Sequence, residues 1–173
     1  MSVRVCSCSF VAISFYSILT FFLFPILILS SPAAAKSEND FYRELTKKSV
    51  AANEDAVRAA ARFKGYRGAA STALELRYLK DIGVPVPRKV ARHPRRPLTK
   101  GDAANLFLNA MQDAADRRGL LGRFFTGSRR FAARDAMAQK LLPGNSLSNE
   151  FMSGGELLSM LGRAVEQMGK KND

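Results

Sequence analysis

At two places in the chain a hydroxyl stands three residues ahead of a carboxylate: Thr99 and Asp102 in PLTKGDAANLFLNA (97–110), and Ser153 and Glu156 in FMSGGELLSMLGRA (151–164). An oxygen and an acid at this spacing serve the free N–H groups of a helix's first turn, each cap contributing roughly 1 kcal/mol. A different chemistry lies between them. The stretch RRGLLGRFFTGSRRF (117–131) sets Arg117, Arg118, Arg123, Arg129 and Arg130 among Leu120, Leu121, Phe124, Phe125 and Phe131. Guanidinium forks grip carboxylate or phosphate at two points. With Phe124 and Phe125 beside them, the five arginines form a candidate ligand-binding set suited to sugar rings, phosphate or a lipid interface. The alternative is that the phenylalanines enter the core and the arginines only flank it. RKVARHPRR (88–96) is the densest basic run. It reads as a solvated linker or as an electrostatic footprint on an anionic polymer or membrane. Without interleaved aromatics to stack on bases, nucleic acid fits it less well.

Catalytic patterns are missing. His93 is the single histidine, and it lies between Arg92 and Pro94 in a polar stretch. Asp135, Glu150 and Glu156 are scattered, whereas two-carboxylate chemistry needs a pair held at fixed separation. There is no glycine-rich phosphate loop before Lys-Ser/Thr and no metal-ligand spacing. No enzyme activity and no cofactor are expected.

The N-terminus has its own logic. Arg4 precedes a run without charge from Val5 to Ala35, apolar through FVAISFYSILTFFLFPILIL and closing on SSPAAAKS. Basic start, apolar middle and small residues Ala33 and Ala35 make residues 1–35 a secretory signal. Pro25 interrupts a spanning helix, and Lys36, Arg43, Lys47 and Lys48 give the wrong balance for an uncleaved anchor, the alternative reading. Cys6 and Cys8 both lie in this segment, so the mature chain carries no cysteine for a disulfide or thiolate chemistry. All but one of the 27 basic residues follow it, against all 15 acids. A small basic domain of this kind favours anionic partners.

The mature chain divides into helices. Residues 36–52 form a helical lead-in. The first helix proper opens at Asn53 as N-cap, with Glu54 and Asp55 in its first turn and Val57, Ala60, Ala61 and Lys64 at helical spacing. Gly65 and Gly68 break it. STALELRYLKDIG (71–83) makes a second helix carrying Leu74, Tyr78, Leu79 and Ile82, stopped by Gly83. The next fourteen residues, with four prolines, form a linker or extended loop. A third helix runs from Thr99 to Met111 with Leu106 and Phe107 inward, a fourth covers about Phe131 to Leu141, and the last starts at Ser153 and buries Leu157, Leu158, Leu161 and Val165. No segment alternates with period two, so the fold class is all-α.

The two capped helices are also copies of one pattern. Leu98-Thr99-Lys100-Gly101-Asp102 aligns with Met152-Ser153-Gly154-Gly155-Glu156, and the register continues to Leu106 with Met160, Phe107 with Leu161, and Ala110 with Ala164. Upstream, IGVP (82–85) matches LLP (141–143). Two helix–loop–helix units follow, 53–113 and 114–173, which share one core. The pattern resembles the S-layer homology (SLH) module, with a helix, an apolar-Pro exit, and a second helix opened by a Thr-Arg-Ala-Glu-like motif. Here that motif is Thr99, Lys100 and Asp102 in one copy, Ser153 and Glu156 in the other. The family normally carries three modules where two are read here. The resemblance implies an exported, non-catalytic binding or scaffold domain, periplasmic or envelope-associated. Its partner would be anionic cell-wall polysaccharide, an envelope lipid or an envelope protein. The competing class is a basic protein that associates with membrane surfaces or nucleic acid without a shaped site. N-terminal sequencing of the exported protein should begin at Lys36; a Met1 start in the membrane fraction would establish the anchor instead.

Overall fold

The computed structural model describes residues 38–112 and 128–172, and these are mostly helical. In chain order the helices are α1 (Glu38–Thr46), α2 (Asn53–Phe63), α3 (Thr72–Asp81), α4 (Arg88–Arg92), α5 (Lys100–Met111), α6 (Arg129–Ala138) and α7 (Gly154–Asn172). Three of them, α2, α5 and α7, pack on one another in the centre. Each central helix is covered by an outer one: α3 on α2, α6 on α5 and α1 on α7.

What joins the central helices is a closed cycle of backbone hydrogen bonds just ahead of their first turns. Leu98 N–H donates to the Ala51 carbonyl (2.8 Å), Ala51 N–H to that of Met152 (2.8 Å), and Met152 N–H to that of Leu98 (3.0 Å). A second tier runs outside the first. The first helical residues Asn53, Lys100 and Gly154 donate to Arg96, Glu150 and Lys48 at 3.0, 2.8 and 3.0 Å. A helix start leaves its first N–H groups without intrahelical partners. Here each start takes a carbonyl from the strand-like approach to another start, as in the antiparallel bridges Ala52–Pro97 and Thr99–Phe151. The arrangement has three equivalent members. The sequence comparison found the starts at Thr99 and Ser153; the hydrogen bonds add a third at Ala52, where no hydroxyl marks it.

The core fits this geometry. Ala51, Leu98 and Met152, the residues of the inner cycle, are fully buried, as are Val57, Leu106, Phe107, Leu157 and Met160. Leu106, Phe107 and Met160 join one cluster with Leu161 packed at its edge. The outer helices α3 and α6 end alike: Val84 N–H reaches the Leu79 carbonyl and Leu141 N–H that of Ala136, both at 2.7 Å. Both ends need a left-handed residue, Gly83 (φ 77°) and Lys140 (φ 58°).

Several expectations change. Asn53 is the first helical residue rather than the cap; its amide donates to the His93 carbonyl at 2.8 Å, while Asp55 serves the Ala52 N–H. The supposed linker contains α4, whose Val90 is buried. On α3 the inward stripe is Glu75 and Leu79, leaving Leu74 and Ile82 exposed, because Arg58 neutralises Glu75 at the α2 face. On α7, Ala164 is buried and Val165 exposed. Phe131 is exposed and does not enter the core; α6 begins at Arg129 and turns Ala132, Ala133 and Ala136 inward instead.

Gly154 shows how tight the third start is. A Cβ there would lie 1.8 Å from the Leu45 carbonyl oxygen, whereas one at Gly155 would meet nothing within 4 Å. Gly154→Ala should therefore lower stability by about 2 kcal/mol or more through overpacking. Gly155→Ala should be neutral or raise it by roughly 0.5–1 kcal/mol. Urea midpoints of the two variants distinguish them; equal effects would mean that α1 does not press on this start.

Candidate functional site

The motif residues are occupied by structural work. Thr99 Oγ1 accepts from Asp102 N–H (3.2 Å) and its hydroxyl donates to the Asp102 carboxylate (2.9 Å). Ser153 makes the full capping box: Glu156 N–H donates to Ser153 Oγ, and Glu156 accepts from both the Ser153 N–H (2.8 Å) and its hydroxyl (3.0 Å). Each of the three cap carboxylates also meets a cation. Lys48 reaches Asp55 at 2.7 Å, Arg129 reaches Asp102 at 2.8 Å, and Lys100 reaches Glu156 at 2.9 Å. Lys100 also pairs with Glu150 at 3.0 Å and is nearly buried. Burial alone would raise the Glu156 carboxyl, but Ser153 and Lys100 outweigh it and hold the group below its ordinary value. Burial likewise opposes the Lys100 ammonium, and Glu156 and Glu150 more than offset it, raising its value. This lysine is a link between two helix starts.

Beside that link lies a groove of about 540 Å³ between the 85–89 segment, α5 and the first turn of α6. Its floor is a ladder of buried polar residues on one face of α5: Asp102, Asn105 and Asn109. The Asn109 amide donates to Asn105 Oδ1 (3.0 Å) and to the Pro85 carbonyl (2.9 Å), which fixes the floor against the groove wall. Pro85, Val86 and Pro87 form that wall, and Arg88, Lys89 and Arg129 also line the groove. Rigid apolar walls, side-chain amides and convergent cations suit a polar anionic ligand better than an apolar one. Asp102, the carboxylate among the described lining residues, is already held by Arg129 and Thr99, and among those residues there is no serine, cysteine or histidine.

Of the arginines singled out in the sequence, Arg129 lines this groove. Its neighbour Arg130 faces another, of about 460 Å³, with Phe131, Arg134, Met137 and Leu147. Successive helical residues diverge by about 100°, so the two do not act on one ligand from one face. Arg117, Arg118, Arg123, Phe124 and Phe125 lie outside the described residues. Sequence reasoning missed Asn105 and Asn109. Their signal was legible: two amides at i and i+4 inside the otherwise apolar run AANLFLNAM. Among the described residues, no helix is long and apolar enough to cross a membrane, and no group of three or more His, Cys, Asp or Glu could hold a metal ion. No family model, curated protein or solved structure matches the chain.

Away from the groove, Glu75 is the most deeply buried charge. Arg58 Nε–H donates to its Oε1 at 2.9 Å, with the guanidinium lying 5.3 Å over the Phe41 ring, while Oε2 has no partner. Desolvation raises the Glu75 carboxyl above its ordinary 4.5 despite the Arg58 hydrogen bond and the charges of Arg58 and Arg62, with Glu54 adding to the rise. The folded carboxyl thus holds its proton to higher pH than the unfolded one. Its contribution to stability is complete below 4.5 and is lost as pH rises through the raised folded value. Glu75→Gln removes this titration and keeps an acceptor for Arg58. The stability of wild type relative to the variant should therefore fall as pH is raised from 4.5 toward neutrality, measured by urea unfolding at stepped pH. A difference independent of pH would show that burial does not perturb this carboxyl.

Proposed function

We propose that this chain is an exported, non-catalytic, SLH-like binding domain that attaches to an anionic cell-wall polysaccharide. The observation that carries this reading is the cycle of three helix starts. Its members are equivalent in backbone pairing and in a cap carboxylate matched to a cation, and three is the usual number of modules in the family the motifs resemble. The groove beside α5 supplies a seat, with Asn105 on its floor for hydroxyl or amide groups and Arg88 and Lys89 for acidic ones. Export is read from the signal pattern of residues 1–35, and the non-catalytic reading from the scattered carboxylates and from Asp102, the groove's carboxylate among the described residues, being tied to its own helix start.

The test is retention of the purified exported protein on cell-wall polysaccharide, anionic lipid vesicles and double-stranded DNA in parallel. Wall polysaccharide should retain it best. The double change Arg88→Ala and Lys89→Ala should weaken that retention by about tenfold, roughly 1.4 kcal/mol, without altering the unfolding midpoint, because both side chains are exposed. Arg130→Ala with Arg134→Ala, which removes the same charge from the other groove, should have the smaller effect. Equal retention by all three materials, erased by moderate salt, would replace the proposal with diffuse charge attraction. Arg129→Ala is the poorer probe, since it also strips Asp102 of its partner.

A further inference from the structure

The groove is not the end of the positive surface. Arg88 and Lys89 line it, and they are also the first two residues of α4. Around that helix, at about 100° per residue, Arg88, Lys89 and Arg92 fall within a single arc, nearly opposite the buried Val90. Arg95 and Arg96 follow in the turn after the helix. All five are exposed. Among the described residues none of them is matched to a carboxylate; the ion pairs engage Lys48, Arg58, Arg77, Lys100 and Arg129 instead.

Free cations on a loose linker would spread apart, but this backbone is held at intervals. At one end the Pro85 carbonyl accepts from Asn109. At the other, the Asn53 amide donates to the His93 carbonyl at 2.8 Å, the Glu54 N–H to that of Pro94 at 2.8 Å, and the Asn53 N–H to that of Arg96 at 3.0 Å. Val90 is buried between them, and Pro85, Pro87, Pro94 and Pro97 stiffen the path. Five like charges are therefore carried on one anchored stretch of backbone, which costs repulsion in the free protein and leaves little backbone ordering to be done on binding.

We propose that the groove and this cationic row form one elongated site for a linear acidic polysaccharide. One sugar residue sits in the groove beside Arg88 and Lys89, and Arg92, Arg95 and Arg96 meet the anionic groups of the residues that follow. The inference rests on the binding function proposed above and adds that the ligand is bound along its length. Segment 84–97 contains no Phe, Tyr or Trp, so a stacked single-stranded nucleic acid lacks a large aromatic platform here.

Size-defined oligogalacturonates, from the monomer to the decamer, test this by calorimetric titration of the exported chain. Affinity should rise with length until the row is spanned and then level off. Arg92→Ala, Arg95→Ala and Arg96→Ala together should weaken the decamer by about tenfold or more, since they remove the linked second contact. The same changes should alter dimer binding less than twofold and reduce the salt dependence of decamer binding. The matching triple lysine variant should keep most of the length dependence, which separates loss of charge from damage to the fold. Oligomers that bind with an affinity independent of length would overturn this inference while leaving the binding function intact. Failure of every length to bind would overturn both. Tighter binding of a single-stranded DNA decamer than of the sugar decamer would assign the row to nucleic acid and refute the proposal.

Discussion

The structure depends on how three helices begin. An α-helix start exposes N–H groups that must find acceptors, and in a small domain those acceptors usually come from the helix's own cap or from water. Here the first residues of α2, α5 and α7 take carbonyls from the approaches to one another, while the residues just before them close an inner cycle through Ala51, Leu98 and Met152. No member of the cycle can be completed alone. The central helices are consequently brought together at their starts, and the apolar faces behind those starts, including Leu106, Phe107, Leu157 and Met160, meet in one core.

Charge is distributed around the same three points. Asp55, Asp102 and Glu156 each close a helix start and each draw in one cation, so Lys48, Arg129 and Lys100 are consumed by the framework. This changes the meaning of the motif. In the resemblance to SLH modules, the residue after the cap hydroxyl would be the natural anion contact. In this chain that position is Lys100 in one start, held between two carboxylates, and Gly154 in another, where Leu45 leaves no room for a side chain. Five cations that the framework does not use, Arg88, Lys89, Arg92, Arg95 and Arg96, are exposed on α4 and the turn after it.

The proposed binding surface follows from that division. The helix starts hold the segment between α3 and α5 against the bundle at Asn53 and Glu54, and Asn109 fixes its beginning through Pro85. What reads as a proline-rich connector is a rigid edge of the groove. Its backbone carbonyls face the framework, its basic side chains face solvent, and the polar ladder of α5 supplies the floor between.

The residues alone were enough to identify the all-α class, the caps at Thr99 and Ser153 with their acids, and the inward Leu106, Phe107 and Met160. Each of these is local: it depends on a spacing within one helix or one turn. Other features were settled only by tertiary contact. The start at 52–53 is legible from its acids to within one residue, but Ala52 has no hydroxyl to match Thr99 and Ser153, so its kinship with them is visible only once its backbone is seen bonded to theirs. Glu75 occupies an inward position because Arg58, seventeen residues away, neutralises it, and that shifts the buried stripe of α3 away from Leu74 and Ile82. Arg129 and Arg130 look equivalent as neighbours, yet helical rotation sends one to Asp102 and the other to a separate groove. Sequence spacing specifies what a residue can do within its own turn. Which carboxylate, carbonyl or groove it meets depends on segments distant in the chain, and only packing brings these together.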